Sequence, residues 1–125
     1  MKKQLFLLSI AVFLVSAYAV FNNKGITTAS SHSDVSYAND VRPLLESRCG
    51  TCHMGKVVSA GLNMKTYPSL MTGSENGAVI LPGDARGSLL IKKVTSGQMP
   101  KRGPKLTPAQ IQLITDWINA GALDN

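Results

Sequence analysis

The stretch NDVRPLLESRCGTCH, Asn39 to His53, decides how the rest of the chain is read. Val41, Leu44 and Leu45 recur at the three-to-four-residue spacing of a helix with one apolar face. Asn39 is a capping-type residue, and Pro43 falls in the first turn, where a missing N–H costs little. The spacing predicts a first helix from Asn39 that ends in the CGTCH run. On such a helix positions i and i+3 share a face and i+4 lies beside them, so Cys49, Cys52 and His53 gather on one side.

Cys49, Gly50, Thr51, Cys52 and His53 spell C-x-x-C-H, the attachment pattern of c-type haem. Two thiols one helical turn apart reach the two vinyl groups on one porphyrin edge, and the next residue brings an imidazole under the iron. Three other uses of this cysteine pair compete with that reading. A disulfide across so short a loop adds little stability. A thioredoxin-like dithiol needs a βαβ context, and no part of the sequence alternates long enough to promise a sheet. A zinc site needs about four ligands, and His32 is the one Cys or His left over. The expectation is one haem c, bound through Cys49 and Cys52, with His53 as the proximal iron ligand.

The N-terminus sets the compartment. Lys2 and Lys3 precede an apolar run from Leu5 to Phe21, and Ala17 and Ala19 form an A-x-A pattern where a signal peptidase cuts. Residues 1–19 are expected to be a signal peptide, with a retained membrane anchor to about residue 21 as the alternative. Both readings put the remainder outside the cytoplasm: periplasmic and soluble in the first, tethered through residues 5–21 in the second. No cysteine follows the apolar run to take a lipid. Residues 20–35, rich in Ser, Thr and Asn, read as a flexible linker, and residues 36–125 as one small domain.

The chain has 13 basic and 7 acidic side chains. Without residues 1–19 the formal charge is +4, and two haem propionates would lower it to +2. No dense Lys/Arg block with interleaved aromatics supports nucleic-acid binding.

Beyond the motif, Gly61 to Met64 reads as extended and Tyr67 to Met71 as a short helical turn before Gly73 and Gly77. Asp84 is placed to cap a helix over Ala85 to Thr95, with Leu89, Leu90 and Val94 inward and Gly97 at its end. Thr107, Pro108 and Gln110 make a T-x-x-Q capping box for a last helix. That helix carries an apolar stripe of Ile111, Ile114, Trp117 and Ile118 and stops at Gly121. The fold class is all-α.

A sixth iron ligand must come from elsewhere, and Met or His is usual. Met54 follows the proximal histidine and falls on the wrong side of a ring; it reads as packing or exposed. Met64 and Met71 read as gap-fillers. Met99 lies 46 residues beyond His53, in a Gly, Pro and Lys-rich loop between two helices that can bring a side chain round to the far face. Met71, Met64 and an open site remain alternatives to it.

Together YANDVRPLLESRCGTCH, LPGDARGSLLIKKV and GQMPKRGPKLTPAQIQLITDWINAGA resemble the short single-haem class I cytochrome c domains, most nearly those of planctomycete type, over about residues 36–123. The resemblance implies a small helical cage around the haem, with the first and last helices packed together through Val41, Leu44, Leu45, Ile114, Trp117 and Ile118. It also implies Met99, in its Met99-Pro100 pair, as the distal iron ligand. Lys101 departs from the pattern, which often has a second proline there.

Function follows as an expectation: an exported carrier of electrons between redox partners, not an enzyme. The alternative is a gas- or peroxide-reactive haem protein with an open sixth position. A peroxidase needs a distal acid–base group, and His53 is the sole histidine of the domain. Lys92, Lys93, Lys101, Arg102 and Lys105 flank the Met99 loop, either simply solvated or placed to steer a partner with an acidic docking surface. Trp117 and Tyr67 read as core aromatics first and as haem contacts second.

Overall fold

The computed structural model of the protein describes residues 35–125. The expected signal or anchor, nearly all of the linker, and His32 lie outside the described residues. From Val35 onward the domain is helical, with no strand among the described residues.

A π-helical turn, Tyr37–Val41, runs without a break into α1, Arg42–His53. The helix therefore starts earlier than Asn39. Ser36 Oγ, not Asn39, is the cap, accepting from the Asn39 amide at 3.2 Å, while the Ser36 N–H donates to Asp40 Oδ2 at 2.9 Å. Pro43 explains the wide opening turn. It has no N–H for the Asn39 carbonyl, and its ring disfavours α geometry just before it. The Arg42 N–H instead reaches back five residues to the Tyr37 carbonyl.

Three short helices follow: α2, Tyr67–Thr72; α3, Leu89–Thr95; and α4, Pro108–Asn119. α2 confirms the expected helical turn and opens on a Thr66/Ser69 capping box. α3 starts four residues later than expected. Asp84 does cap, but its Oδ1 accepts from Gly87 N–H at 2.7 Å and closes a separate turn. Ser88 then takes an extended conformation before the helix begins. Its buried hydroxyl accepts from Leu81 N–H and donates to the Asp84 carbonyl, both at 2.8 Å, tying the two turns together. The Thr107 box on α4 forms as the sequence promised, and Gly121, at φ +104°, follows the helix.

The core gathers Val41, Leu44, Leu45, Ile114, Trp117 and Ile118 with Leu70, Leu90 and Val94. α4 packs on the π turn and on α3. Tyr37 stacks on Trp117, ring centroids 5.4 Å apart, and meets Tyr67 edge-on at 5.2 Å. The ends of the domain are clasped. Asn125 Oδ1 accepts from Tyr37 N–H at 2.8 Å, its Nδ2 donates to the Val35 carbonyl, and its main-chain oxygen accepts from Ala38 N–H and Ser36 Oγ. The expected pairing of first and last helices is thus made by the start of the first, with α1 leading from there toward the CGTCH turn.

Candidate functional site

Cys49, Cys52 and His53 all lie on the last turn and a half of α1, as their spacing requires. The thiols are not bonded to each other. Cys49 is half-buried against the apolar core and Cys52 is exposed. Burial, with the neighbouring Cys52 second, pushes the free Cys49 thiol up to about 11. Gly50 gives room for the Met54 side chain, whose sulfur passes within ordinary contact of the space a Cβ there would fill. Met54 is half-buried packing on the helix.

His53 is buried, and its Nδ1 lies 3.2 Å from the Leu62 carbonyl oxygen. A carbonyl can only accept, so this bond requires the proton on Nδ1 and leaves the Nε2 lone pair for a ligand. Eight residues of loop, 54–61, return the chain from His53 to Leu62, and the Met64 N–H then donates to the His53 carbonyl at 2.8 Å. The imidazole is thus held from the ring and from its own main chain. Sequence reading missed Leu62, because a carbonyl supplied by the backbone carries no residue-type signal.

Among the methionines, Met64 is wholly buried in the core beside the main chain of His53. Met71 and Met99 are each half-buried against the apolar cluster. Met99 N–H donates to the Lys93 carbonyl at 3.0 Å, at the start of the loop between α3 and α4. Lys105 Nζ donates to the Pro100 carbonyl and closes that loop. Lys93 Nζ is engaged by Gln98 Oε1 at 2.6 Å. Lys92, Lys101 and Arg102 are exposed.

Trp117 Nε1 donates to the Leu123 carbonyl at 2.9 Å, and Tyr67 Oη donates to the Ala122 carbonyl at 2.7 Å. Both aromatic polar groups are therefore used inside the protein, which supports their role as core residues. No group of three or more His, Cys, Asp or Glu side chains gathers among the described residues to hold a metal ion.

Residues 49–103 match the family model described as Planctomycete cytochrome C. The match supports a planctomycete-type cytochrome c domain over this stretch. The matched stretch begins at Cys49 and ends at Gly103, so it contains the CGTCH turn, the Leu62 loop and the Met99-Pro100 pair. The π turn, most of α1 and all of α4 lie beyond it. No curated protein and no solved structure gives a significant match. A cytochrome c domain implies haem c, and the residues of this one fit that group: two unbonded thiols at i and i+3, and beside them a buried imidazole with Nε2 left to bind. No helix among the described residues is long and apolar enough to cross a membrane.

Proposed function

We propose that this cytochrome domain is an exported electron carrier holding one haem c, with Cys49 and Cys52 as thioether donors, His53 as proximal ligand and Met99 as distal ligand. The observation that carries the proposal is the His53 geometry. A buried imidazole whose Nδ1 is committed to the Leu62 carbonyl stands on the same helical turn as both unpaired thiols. Cys49 and Cys52 would hold the haem through thioether bonds to its two vinyl groups. The bound haem supplies a one-electron couple at its iron.

Met99 is favoured over Met64 by the burial of the latter, and over Met71 by its inter-helix loop and the Met99-Pro100 pair that resembles the family's axial methionine loop. Met64 is wholly enclosed on the His53 side of the core, whereas Met99 stands half-buried in a loop whose ends are fixed by α3, by α4 and by the Lys105–Pro100 bond. A thioether opposite an imidazole favours reduced iron, and burial keeps water off the metal. Lys92, Lys101 and Arg102 offer an exposed basic rim beside this loop for a redox partner with an acidic surface. Export, by cleavage after about residue 19 or as a tethered form, supplies the compartment in which c-type haem is attached.

The test is an absorption spectrum in both redox states, taken on protein matured in a host that attaches c-type haem. Expected are a c-type haemochrome that survives acid–acetone extraction, and in the oxidised state the charge-transfer band of iron bonded to methionine. Met99→Ala should abolish that band and let the reduced protein bind carbon monoxide. Ready carbon monoxide binding by the unaltered protein would overturn the electron-carrier reading.

A further inference from the structure

The loop that presents the Leu62 carbonyl to His53 is built from uncommon backbone. Ala60 and Gly61, inside the short 3₁₀ turn Ser59–Gly61, both have positive φ, +53° and +66°. An L-residue in that region is strained and persists only where its surroundings over-determine it. Ala60 is held by its carbonyl, which accepts from the Glu75 N–H at 3.0 Å. Gly61 allows the approach, since a Cβ there would stand 3.2 Å from the Glu75 nitrogen.

Glu75 belongs to a tight turn whose ends, Ser74 and Gly77, exchange two main-chain hydrogen bonds at 2.9 Å. Gly73, at φ +91°, anchors that turn; a Cβ there would lie 2.5 Å from the Gly77 carbonyl oxygen. The chain of contacts runs from Gly73 and the Ser74–Gly77 turn, through Glu75 N–H, to Ala60, then two residues on to Leu62 and so to His53 Nδ1. Apart from the imidazole itself, every link is backbone.

We infer that Glu75 is a positioning residue for the proximal imidazole, acting through its amide and not its carboxylate. By holding the strained Ala60–Gly61 turn, the Glu75 N–H keeps the Leu62 carbonyl on His53 Nδ1 and so sets the basicity of the ligand presented to the iron. A carbonyl that accepts from Nδ1–H makes the imidazole a stronger donor and favours oxidised iron. Loosening the turn therefore raises the reduction potential. This inference rests on His53 being the proximal ligand.

The test uses the matured holoprotein with Glu75→Pro and Glu75→Ala. Glu75 is the first central residue of its turn, where proline is tolerated. Glu75→Pro thus deletes the donor while the Ser74–Gly77 pairing has its own bonds to stand on. Glu75→Ala keeps the N–H and removes the exposed carboxylate. The expected result is a higher midpoint potential and faster solvent exchange of the His53 ring N–H in the Pro variant, with neither change in the Ala variant. Equal potentials and equal ring N–H exchange in all three proteins would overturn the inference, as would an Ala variant that shifts as far as Pro. If Glu75→Pro fails to mature, Ala60→Pro, which disrupts the same turn from its other side, supplies the measurement. Failure of the underlying reading looks different: the unaltered protein would then lack a covalent haemochrome altogether.

Discussion

Tyr37→Phe should make the domain more stable. The Tyr37 hydroxyl is buried and has no hydrogen-bond partner among the described residues, while its ring stacks on Trp117 at 5.4 Å and meets Tyr67 at 5.2 Å. Phenylalanine keeps both ring contacts, about 0.5–1.5 kcal/mol each beyond their area, and removes the uncompensated polar atom. Leaving such a group buried costs about 1–3 kcal/mol. At the lower end of that range, a gain of about 1 kcal/mol raises Tm by about 4–8 °C in a domain of this size. Burial also raises the Tyr37 pKa above its usual value of 10.0, with the Arg42 guanidinium pulling the other way. Sign follows from linkage: above pH 10 the unfolded chain loses this proton first, so stability present below pH 10 falls as pH rises through the folded value. Thermal and guanidinium unfolding of the oxidised holoprotein at pH 7, repeated up to pH 11, measures both effects. The Phe variant should melt higher at pH 7 and lose less stability on the alkaline side. A Phe variant less stable by 0.5 kcal/mol or more would refute the reasoning, because the hydroxyl would then have a partner.

Other outcomes are open to the same unfolding assay and to kinetics. Thr107→Ala removes both the acceptor for Gln110 N–H and the reciprocal geometry of the capping box, and should cost about 1 kcal/mol; no change would mean that α4 is held by packing alone. Asn125→Ala deletes the two side-chain bonds to Val35 and Tyr37 and should cost about 1–3 kcal/mol in unfolding free energy at about 0.5–1.5 per bond. Ala60→Gly relieves a left-handed alanine worth about 1–2 kcal/mol against about 0.4–1 kcal/mol of added unfolded-state freedom, so its net effect should be neutral to stabilising; a loss above 1 kcal/mol would show that Ala60 is not strained. Electron-transfer rates with an acidic partner should fall as ionic strength rises, and Lys101→Glu with Arg102→Glu should flatten that dependence; rates indifferent to salt would remove the basic rim from the docking surface.

Much of the domain was legible because its signals are side-chain identities at fixed spacing. The T-x-x-Q box and the Ile114, Trp117, Ile118 stripe gave α4 to its first residue, and C-x-x-C-H put three functional groups on one helical turn. The misjudged starts had competing signals. Asn39 and Ser36 are both capping residues, and only the three-dimensional path shows which hydroxyl or amide faces the free N–H groups. Asp84 capped a turn instead of α3 because Ser88 adopts an extended backbone between them. The support of His53 was illegible for a different reason. Leu62, Ala60 and Glu75 act through main-chain groups that every residue possesses, and no spacing rule announces them. Asn125 was invisible because its partners lie some ninety residues away.

The two ends of the first helix are held by opposite kinds of chemistry, and this fits the proposed carrier, which must change charge without changing shape. At its start, side chains dominate: the Tyr37–Trp117 stack, the Asn125 clasp and the Ser36 cap fix where the helix leaves the core. From there α1 is continuous to His53, and a continuous helix transmits position over about 1.5 Å per residue without soft dihedrals. At its far end, backbone dominates: Leu62 on the ring and Met64 on the His53 carbonyl. Main-chain donors and acceptors do not titrate, and they have no rotamers to reorganise when the charge beside them changes by one. A side-chain carboxylate on His53 Nδ1 would hold the ring as well, but it would place a full negative charge next to the ligand and respond to pH. Holding the ring by the Leu62 carbonyl and its main chain by the Met64 amide gives a site whose polarity is fixed whatever the charge beside it.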